Sequence, residues 1–308
     1  MQGTRVLVTG AAGFLGSRLC ERLLKERAVV HATSRRRHSS SHPALTWWQT
    51  DLAEAADVHR LMQTIRPDVI FHLAGHVTAD PARAHIIPTF QSLLVSTINI
   101  LYAAADTDCR RIITTGSMTE PSAARGDQTI PRSPYAAAKA ASTLYAQMFH
   151  ALYGTPVVIV RPFVVYGPGQ HESKLIPYVI RSLLFGVAPS LASGRWKADW
   201  IFVDDVINAF VLAANRLCLE GCTIDLGTGR LTSVCEVVRI IGQLINQHIQ
   251  PQFGVVADRP DEPISVADVE AASRLLAWRS EIALEQGLET TVRWYQEQYV
   301  HSCKELST

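Results

Sequence analysis

A tyrosine and a lysine four residues apart, Tyr135 and Lys139, have the types and the spacing needed to move a proton to or from a substrate oxygen. On a helix, positions i and i+4 lie on the same face, so the two side chains would be neighbours. A lysine ammonium one turn from a phenol favours the phenolate, and we expect the tyrosine pKa to fall from about 10 toward neutrality. Such a tyrosine could act as general base on an alcohol or as general acid on a ketone.

A glycine-rich turn near the N-terminus has the spacing Gly-x-x-Gly-x-x-Gly and lies between a β-branched run and a helical pattern. Glycines allow a tight turn and a close approach of the backbone to a pyrophosphate, and the helix N-terminus adds free N–H groups and a positive dipole end. This context favours a dinucleotide site over an unliganded turn. The predicted cofactor contacts in the turn are Gly10, Gly13, Phe14, Leu15 and Gly16.

The glycine turn, followed downstream by the Tyr-x-x-x-Lys pair, resembles the extended short-chain dehydrogenase/reductase family, whose NAD-dependent epimerases and dehydratases modify nucleotide sugars. The resemblance extends over nearly the whole chain. It implies hydride transfer between a nicotinamide cofactor and a sugar carbon, with Tyr135 and Lys139 as catalytic and cofactor-binding residues. It also implies that Ser117 is the third catalytic residue and positions the reacting oxygen, with Thr115 as the competing candidate.

The residues after the second predicted strand bear on the choice between NAD and NADP. An NAD site of this kind places an acidic residue there to accept from the ribose 2′-OH, but no acidic residue occurs between Glu26 and Asp51. The strand is followed instead by Ser34, Arg35 and Arg36. Because a guanidinium pairs well with a phosphate, we expect NADP, with NAD as the less favoured alternative. The other interpretation is that these arginines belong to a solvated loop.

Further cofactor contacts are implied by the resemblance alone. They comprise an adenine contact, a turn that passes beneath the cofactor, and the ends of two later strands. One departure occurs at Leu93, where the family often has Asn. The implied contacts are Asp51, Leu52, Leu73, Ala74, Gly75, Thr115 and Pro162.

The residues that follow Ser117 bear on the type of reaction. The 4,6-dehydratases of the resembled family carry Asp and Glu directly after the equivalent hydroxyl residue, and these serve water elimination. Met118 and Thr119 stand there in this chain, and Glu120 comes one residue late. A dehydratase is therefore disfavoured, although Glu120 keeps that reading open.

The substrate segments depart from the resembled pattern at two positions. Val164 stands where nucleotide-sugar members usually carry Asn, and Ala198 stands where an Arg normally binds the substrate diphosphate. Neither side chain can donate to or neutralise a diphosphate. The expected substrate contacts, some of them more often surface charges than ligands, are His76, Ser117, Met118, Val164, Lys174, Arg195 and Arg259.

Three functional hypotheses follow from these residues. The first is ketoreduction or epimerisation of a nucleotide-linked sugar or keto-sugar. The second is an NADPH-dependent ketoreductase that acts on a glycoside or metabolite without a nucleotide. The third is a non-catalytic sensor that binds NADP, which the presence of both Tyr135 and Lys139 argues against.

The elements that must position these residues alternate between short apolar strands and longer helical patterns. This alternation predicts a parallel sheet covered on both faces. With the resemblance, it gives an α/β fold: a Rossmann-type doubly wound parallel sheet in residues 1–165 and mainly a smaller substrate lobe in residues 166–308, with segments returning to the first domain. The predicted strands are Arg5 to Thr9, Val29 to Thr33, Val69 to Leu73, Arg111 to Thr115 and Val157 to Arg161.

Composition excludes several classes of partner. A net charge of +1 over 308 residues gives no basic surface for nucleic acid, and no apolar run approaches the roughly 20 residues that span a bilayer. The N-terminus lacks a signal-peptide pattern. Six cysteines show no metal-ligand spacing, so we expect no metal, buried free thiols and a reducing cytoplasm.

The resemblance also implies a homodimer, because many family members associate through two helices, here roughly 89–105 and 135–153. In the second helix Leu144, Met148 and Leu152 recur at helical spacing. The alternative is that this apolar stripe faces the sheet as part of the core.

Overall fold

The computed structural model describes residues 1–78, 80–121, 130–245, 249–259, 262 and 264–305, the side chains of 299–305 excepted. The chain divides into two units by its internal contacts. The first unit comprises Met1–Pro162, Ile207–Asp225 and Glu270–Trp278; the second comprises Phe163–Val206, Leu226–Val269 and Arg279–Thr308. A division into separate domains 1–165 and 166–308 stays a prediction.

The regular elements alternate along the chain as the sequence pattern predicts. The strands are β1 (Arg5–Thr9), β2 (Val29–Ser34), β3 (Leu45–Gln49), β4 (Val69–His72), β5 (Arg111–Thr115), β6 (Val157–Pro162), β7 (Val164–Tyr166), β8 (Lys197–Ala198), β9 (Trp200–Phe202), β10 (Thr223–Leu226) and β11 (Thr232–Ser233). The α-helices are α1 (Phe14–Lys25), α2 (Ala55–Ile65), α3 (Ile86–Thr89), α4 (Ser96–Ala105), α5 (Pro134–Tyr153), α6 (Leu175–Leu184), α7 (Val203–Asn215), α8 (Val234–Ile245), α9 (Val269–Leu276) and α10 (Leu284–Glu305).

A seven-stranded sheet forms the centre of the first unit, in the order β3-β2-β1-β4-β5-β6-β10. Neighbouring strands from β3 through β6 pair in parallel. The strand order reverses between β1 and β4, and open α/β sheets bind ligands outside the carboxyl ends of strands at such a reversal. The predicted α/β fold with a Rossmann-type parallel sheet is confirmed.

Both faces of this sheet are buried. Leu7 of β1 joins Ile70 and Ile112 in one core cluster, together with side chains of α2, α4 and α5. Because strand side chains alternate between faces, Val6 and Val8 point to the opposite face, and both are fully buried. α1 packs against β1 and β2. The uninterrupted apolar strands of the sequence are therefore explained by a sheet with no solvated face.

Helix α5 has strong signals at both ends. The Ser133 side chain caps its N-terminus by accepting a hydrogen bond from the Ala136 N–H at 3.1 Å, and Pro134 occupies the first turn. The helix ends at Gly154, whose φ of +67° is the left-handed conformation that glycine adopts without strain. These caps fix the start of the helix, where the Tyr-x-x-x-Lys pair lies.

The helical stretch Arg83–Ala105 includes α3 and α4 and contains one π-helical segment, Phe90–Val95. The Leu93 carbonyl oxygen in this segment accepts from the Thr97 hydroxyl at 2.6 Å and from the Ser142 hydroxyl of α5 at 3.1 Å. Side-chain donors thus bind this carbonyl in the π-helical segment and tie the segment to α5.

This same stretch is long and apolar enough, by length and composition, to cross a membrane. The expectation that no apolar run approaches this length is therefore wrong. Ile100 and Leu101 of the stretch are fully buried in the core of the first unit, so its apolar character is also that of a core helix.

The second unit contains two small ladders and three packed helices. β7 pairs with β9 in parallel, β8 pairs with β11 antiparallel, and α8 packs against both α6 and α10. The fully buried carboxylate of Asp199 accepts from the backbone N–H groups of Thr228 (2.7 Å), Gly229 (2.9 Å) and Ala267 (3.2 Å). One acidic side chain therefore fixes two loops of this unit.

Three expectations drawn from the sequence need correction. β3 is absent from the predicted strands, because its burial is shallow and its residues show no clear alternation. Buried thiols are found at Cys20 and Cys109, but Cys218 and Cys235 are exposed. The apolar stripe of α5 is divided: Leu144 and Leu152 are each about two-thirds exposed, so they are not sheet-facing core.

Candidate functional site

The turn after β1 approaches the turn after β4 so closely that a side chain at Gly10 is excluded. A Cβ placed there would lie 2.8 Å from the backbone nitrogen and Cα of Ala74 and 2.9 Å from the carbonyl carbon of Leu73. Gly10 also has φ of +65°. The two turns thus meet at the reversal of strand order, where glycine is required on both steric and conformational grounds.

The start of α1 is open to an anion. Gly13 occupies the N-cap position without a side chain, and the first turn, which begins with Phe14 and Leu15, contains no acidic residue. A Cβ at Gly16 would lie 2.2 Å from the Gly10 carbonyl oxygen, so this glycine lets the helix pack against the turn. Free N–H groups at a helix N-terminus suit a pyrophosphate. The cradle therefore fits a dinucleotide.

A hydroxyl and an imidazole fasten β1 to β4 beneath this turn. The Thr9 oxygen accepts from the Leu73 and Ala74 N–H groups at 3.1 and 3.2 Å, and lies 2.8 Å from Nδ1 of His72. His72 Nε2 lies 3.1 Å from the Thr97 hydroxyl. Burial and then the positive charge of Lys139 lower the pKa of His72 to about 3, so its ring is neutral. The pair holds the loop of the predicted contacts Leu73, Ala74 and Gly75.

The predicted adenine contacts Asp51 and Leu52 follow β3. Asp51 is exposed and its carboxylate accepts from the Ala53 N–H at 3.0 Å, whereas Leu52 is buried. The amide of Asn99 donates to the carbonyl oxygens of Leu52 and Ala53 at 3.0 and 3.1 Å. Asn99 thereby ties α4 to this loop.

The predicted 2′-phosphate contacts lie at the carboxyl end of β2. The Ser34 hydroxyl accepts from the Arg36 N–H at 3.1 Å, and Arg35 and Arg36 are exposed. Farther along the loop, His38 stacks on Trp47 with ring centroids 4.5 Å apart. A groove of about 330 Å³ opens beside the glycine turn, lined by Ala11, Ala12, Ser17, Cys20, Glu21, Leu24, His38, Leu45 and Trp47.

The Tyr-x-x-x-Lys pair lies in the first two turns of α5, beside the end of β5. The Lys139 ammonium is buried and donates to the Thr115 carbonyl oxygen at 2.6 Å and to its hydroxyl at 2.9 Å. Tyr135 is half-buried and shares a hydrogen bond with the Ser117 hydroxyl. The structure thus brings Ser117, Tyr135 and Lys139 close together, and Thr115 contacts the lysine. The choice between Ser117 and Thr115 as third catalytic residue stays a prediction.

The expected fall of the tyrosine pKa is not found. Burial raises the pKa of the Tyr135 phenol to about 12; the hydrogen bond with Ser117 opposes this rise and the negative charge of Glu120 adds to it. Burial lowers the pKa of the Lys139 ammonium to about 8, and Glu120 opposes that change. The spacing of the two residues predicts a cation near a phenol, but it does not show that burial removes water from both groups. That desolvation decides the direction of both pKa shifts.

Glu120 lies in a buried network behind Ser117. One oxygen accepts from the Ser117 N–H at 2.5 Å, and the other lies 3.4 Å from a guanidinium nitrogen of Arg161 on β6. A second nitrogen of Arg161 pairs with Asp225 of β10 at 2.9 Å. The carboxylate is therefore engaged within the protein.

The loop after β4 carries two further predicted contacts. A Cβ on Gly75 would lie 2.2 Å from the Leu93 side chain, so the departure at Leu93 is accommodated by this glycine. The His76 N–H donates to the Ser92 hydroxyl at 3.0 Å, and its exposed ring stacks on His85 with centroids 5.4 Å apart. His76 is thus held at the carboxyl end of β4.

The remaining predicted contacts differ in exposure. In the first unit, Met118 is buried and Pro162 ends β6 half-buried. In the second unit, the Val164 N–H donates to the Asp199 carbonyl oxygen at 3.0 Å. Arg195 is exposed. Neither Met118 nor Val164 offers a charge or a side-chain hydrogen bond to a ligand.

Two cations of the second unit influence each other. The pKa of the Lys174 ammonium is lowered by desolvation and then by the positive charge of Arg259. Arg259 pairs with Glu262 at 3.3 Å, and burial raises the pKa of that carboxyl while Arg259 opposes the rise. Like charges held close together are typical of an anion-binding surface.

The NAD dependent epimerase/dehydratase family model matches residues 6–221. The chain belongs to this family. A UDP-glucose 4-epimerase of Mycolicibacterium smegmatis is 31% identical over 95% of this chain and 98% of its own length. A dTDP-glucose 4,6-dehydratase of Haemophilus influenzae is 28% identical over 94% of this chain and 97% of its own length.

Solved structures agree with this assignment. A UDP-glucuronic acid 4-epimerase from Bacillus cereus, in complex with UDP-glucuronic acid and NAD, has a TM-score of 0.86 at 25% identity and covers 96% of this chain and 99% of that chain. This chain is therefore an epimerase or oxidoreductase of the extended short-chain dehydrogenase/reductase type, and its cofactor is a nicotinamide dinucleotide.

Several residues of the site escape motif-based prediction. The side chains of Thr9 and Asn99 are hydrogen-bonded to the loops after β4 and β3, His72 is hydrogen-bonded to Thr9, and Arg161 and Asp225 pair across two later strands. The available signal is a polar residue at the end of an otherwise apolar strand. That signal marks a buried polar group, which must find a partner, but it does not name the partner.

We expect Gly10→Ala to lower the free energy of unfolding by about 2 kcal/mol and to abolish cofactor binding, because its Cβ would meet the Ala74 backbone at positive φ. Gly13→Ala is the matched control: its Cβ would meet only the Gly10 carbonyl oxygen, at 3.2 Å, and we expect a loss below about 1 kcal/mol. Urea unfolding measures the loss of stability in both variants, and cofactor titration follows Gly10→Ala. Equal losses of unfolding free energy in the two variants would contradict the assigned role of Gly10.

Proposed function

We propose that this protein transfers hydride between a nicotinamide cofactor and a sugar carbon, most simply by ketoreduction or epimerisation of a nucleotide-linked sugar. The observation that carries this proposal is the convergence of Ser117, Tyr135 and Lys139 at the end of β5, in the same unit as a glycine cradle suited to a dinucleotide. A non-catalytic sensor would not need this convergence.

The three side chains divide the proton chemistry between them. Tyr135 gives its phenolic proton to the substrate oxygen during reduction and takes it back during oxidation. Ser117 is hydrogen-bonded to the phenol and orients the reacting oxygen. The Lys139 ammonium stabilises the phenolate while Tyr135 lacks its proton. When bound, the nicotinamide supplies or accepts the hydride at the carbon.

Dehydration is disfavoured by the position of Glu120. Its carboxylate is engaged by the Ser117 N–H and by Arg161, so it is not free to remove a proton from a substrate carbon. Met118 and Thr119, which occupy the positions directly after Ser117, supply no carboxylate. Reduction and epimerisation need no such group.

A nucleotide-linked substrate is supported by the relatives and by two cations. The relatives act on UDP- and dTDP-linked sugars by their names. We assign the diphosphate to Lys174 and Arg259, whose charges reinforce each other. A ketoreductase for a glycoside without a nucleotide is the second candidate, favoured by Val164 and by the fully buried Ala198 in place of the usual polar groups.

NADP is the proposed cofactor form, although the Bacillus cereus structure contains NAD. The support is local: Ser34, Arg35 and Arg36 follow β2, and no acidic residue is present there to accept from a ribose 2′-OH. Both arginines are exposed and can reach a 2′-phosphate.

A homodimer is proposed on the apolar surface of two helices. Tyr102 of α4 and Leu144, Leu152 and Tyr153 of α5 are each 64–69% exposed. Such a group of exposed apolar side chains on neighbouring helices is typical of an association surface. A cytoplasmic location stays a prediction.

We expect Tyr135→Phe to lower kcat by about 10²- to 10⁴-fold, the usual contribution of a positioned general acid or base. Turnover is assayed with UDP-glucose, UDP-glucuronic acid, dTDP-glucose and their 4-keto derivatives, by sugar analysis and by absorbance of the reduced cofactor. A reductase consumes NADPH, whereas an epimerase changes the sugar without net consumption. Full activity of Tyr135→Phe on a substrate turned over by the wild type would refute the proposed chemistry.

The nucleotide handle is tested by thermal shift of the cofactor-loaded protein with UDP, TDP, GDP, CDP and ADP. A nucleotide at a hundredfold excess over Kd stabilises the folded state by about 2.7 kcal/mol. We expect one nucleotide to give a clear thermal shift, and the double variant Lys174→Ala with Arg259→Ala to lose it. Arg230→Ala, which removes an exposed cation of the same unit, is the control and should keep the shift. No shift with any nucleotide would favour the second candidate.

The cofactor form is tested by the dissociation constants of NADPH and NADH. We expect NADPH to bind at least about tenfold more tightly, and Arg35→Ala with Arg36→Ala to weaken it by about ten- to a hundredfold, the effect of losing hydrogen bonds to a charged group. NADH binding should hardly change. Arg37→Ala is the matched control, because Arg37 donates to Gln49 at 3.2 Å. Tighter binding of NADH would overturn the NADP proposal.

A further inference from the structure

Glu120 is a buried acid that the proposed chemistry does not use. Its side chain is 3% exposed, although it lies only three residues from Ser117. A buried carboxylate is costly unless it is paired and hydrogen-bonded. Both conditions are met here, because one oxygen accepts from the Ser117 N–H at 2.5 Å and the other lies near Arg161.

The backbone leaves room for this carboxylate. A Cβ at Gly116 would lie 2.7 Å from Glu120 Oε1, closer than real Cβ contacts allow. The conformation of Gly116 does not itself require glycine, since its φ is not in the left-handed region. Glycine at residue 116 therefore leaves the space that the Glu120 carboxylate occupies.

A guanidinium clamps the carboxylate from the neighbouring strand. Arg161 of β6 lies between Glu120, at 3.4 Å, and Asp225 of β10, at 2.9 Å. Two carboxylates thus contact the partly buried guanidinium of Arg161, which holds Glu120 behind the turn that carries Ser117.

The Glu120 carboxylate acts on both Tyr135 and Lys139. Glu120 raises the proton affinity of the Tyr135 phenol and of the Lys139 ammonium. Among the described groups, Glu120 acts on both members of the pair and the neutral His72 lies near Lys139, whereas Arg161 contacts Glu120 and Asp225 contacts Arg161.

We propose that Glu120 is the positioning residue of this site: its clamped carboxylate fixes the turn that carries Ser117 and places a negative charge beside the Tyr135–Lys139 pair. The inference rests on the proposed Ser-Tyr-Lys chemistry. Glu120 acts through its neighbours and does not touch the substrate. Because the charge of Glu120 raises the pKa of both groups, loss of that charge must lower the pKa of Tyr135 and that of Lys139.

The test compares Glu120→Gln with the wild type. The amide keeps an acceptor for the Ser117 N–H and removes the charge. We expect the pH profile of kcat/KM, and the tyrosinate absorbance titration of the cofactor-free protein, to shift to lower pH by about one unit. Subtracting matched Tyr135→Phe titrations isolates this residue among the eight tyrosines. Unchanged profiles in a folded Glu120→Gln protein would overturn the proposal.

Three variants separate charge from architecture. Glu120→Asp keeps the charge and should leave the profile within about 0.3 units of the wild type. Asp225→Asn removes a charge that is separated from Glu120 by the Arg161 guanidinium, so its pH shift should be smaller. A shift as large as that of Glu120→Gln would overturn the role of Glu120. If Glu120→Gln does not fold, Arg161→Gln tests the same network and must shift the titration to higher pH; no shift overturns the proposal.

Failure of the proposed function is distinguishable from failure of this inference. Full turnover by Tyr135→Phe would refute the Ser-Tyr-Lys chemistry whatever Glu120 does. The tyrosinate titration does not depend on turnover, so it reports the influence of Glu120 on Tyr135 in either case. A merely structural acid would lower Tm in Glu120→Gln without moving this titration.

Discussion

The close approach of the β1 and β4 turns is the constraint on which the rest of the site depends. Gly10 lies against the backbone of Ala74 with no space for a Cβ, and Thr9 bonds both N–H groups of the facing loop. These contacts lie where the strand order reverses, so they set the crevice in which a cofactor binds. A side chain at residue 10 would therefore be expected to destabilise the fold and to impair cofactor binding.

Much of the fold, and the proximity of Ser117, Tyr135 and Lys139, could be predicted because they depend on local patterns. β1 and β5 have the predicted bounds. Such elements are specified by apolar runs and by glycine, which act within a few residues. β3 lies at the sheet edge, where half-burial erases the alternation that would reveal it.

The electrostatics of the site could not be predicted from spacing. A lysine four residues from a tyrosine indicates attraction, yet burial opposes charge on both groups and dominates at Tyr135. The partners that adjust this balance, Arg161 and Asp225, come from distant parts of the chain. Desolvation is a property of the folded unit as a whole, so no short motif contains it.

Gly116 and Glu120 also constrain how this sequence can evolve. Since a methyl group at residue 116 would lie 2.7 Å from the carboxylate, the Glu120 side chain would have to move to admit it. We expect a side chain at residue 116 to be tolerated best in lineages whose residue 120 is shorter. The pair should therefore covary among homologues, and the order of its substitutions should be recoverable from their phylogeny.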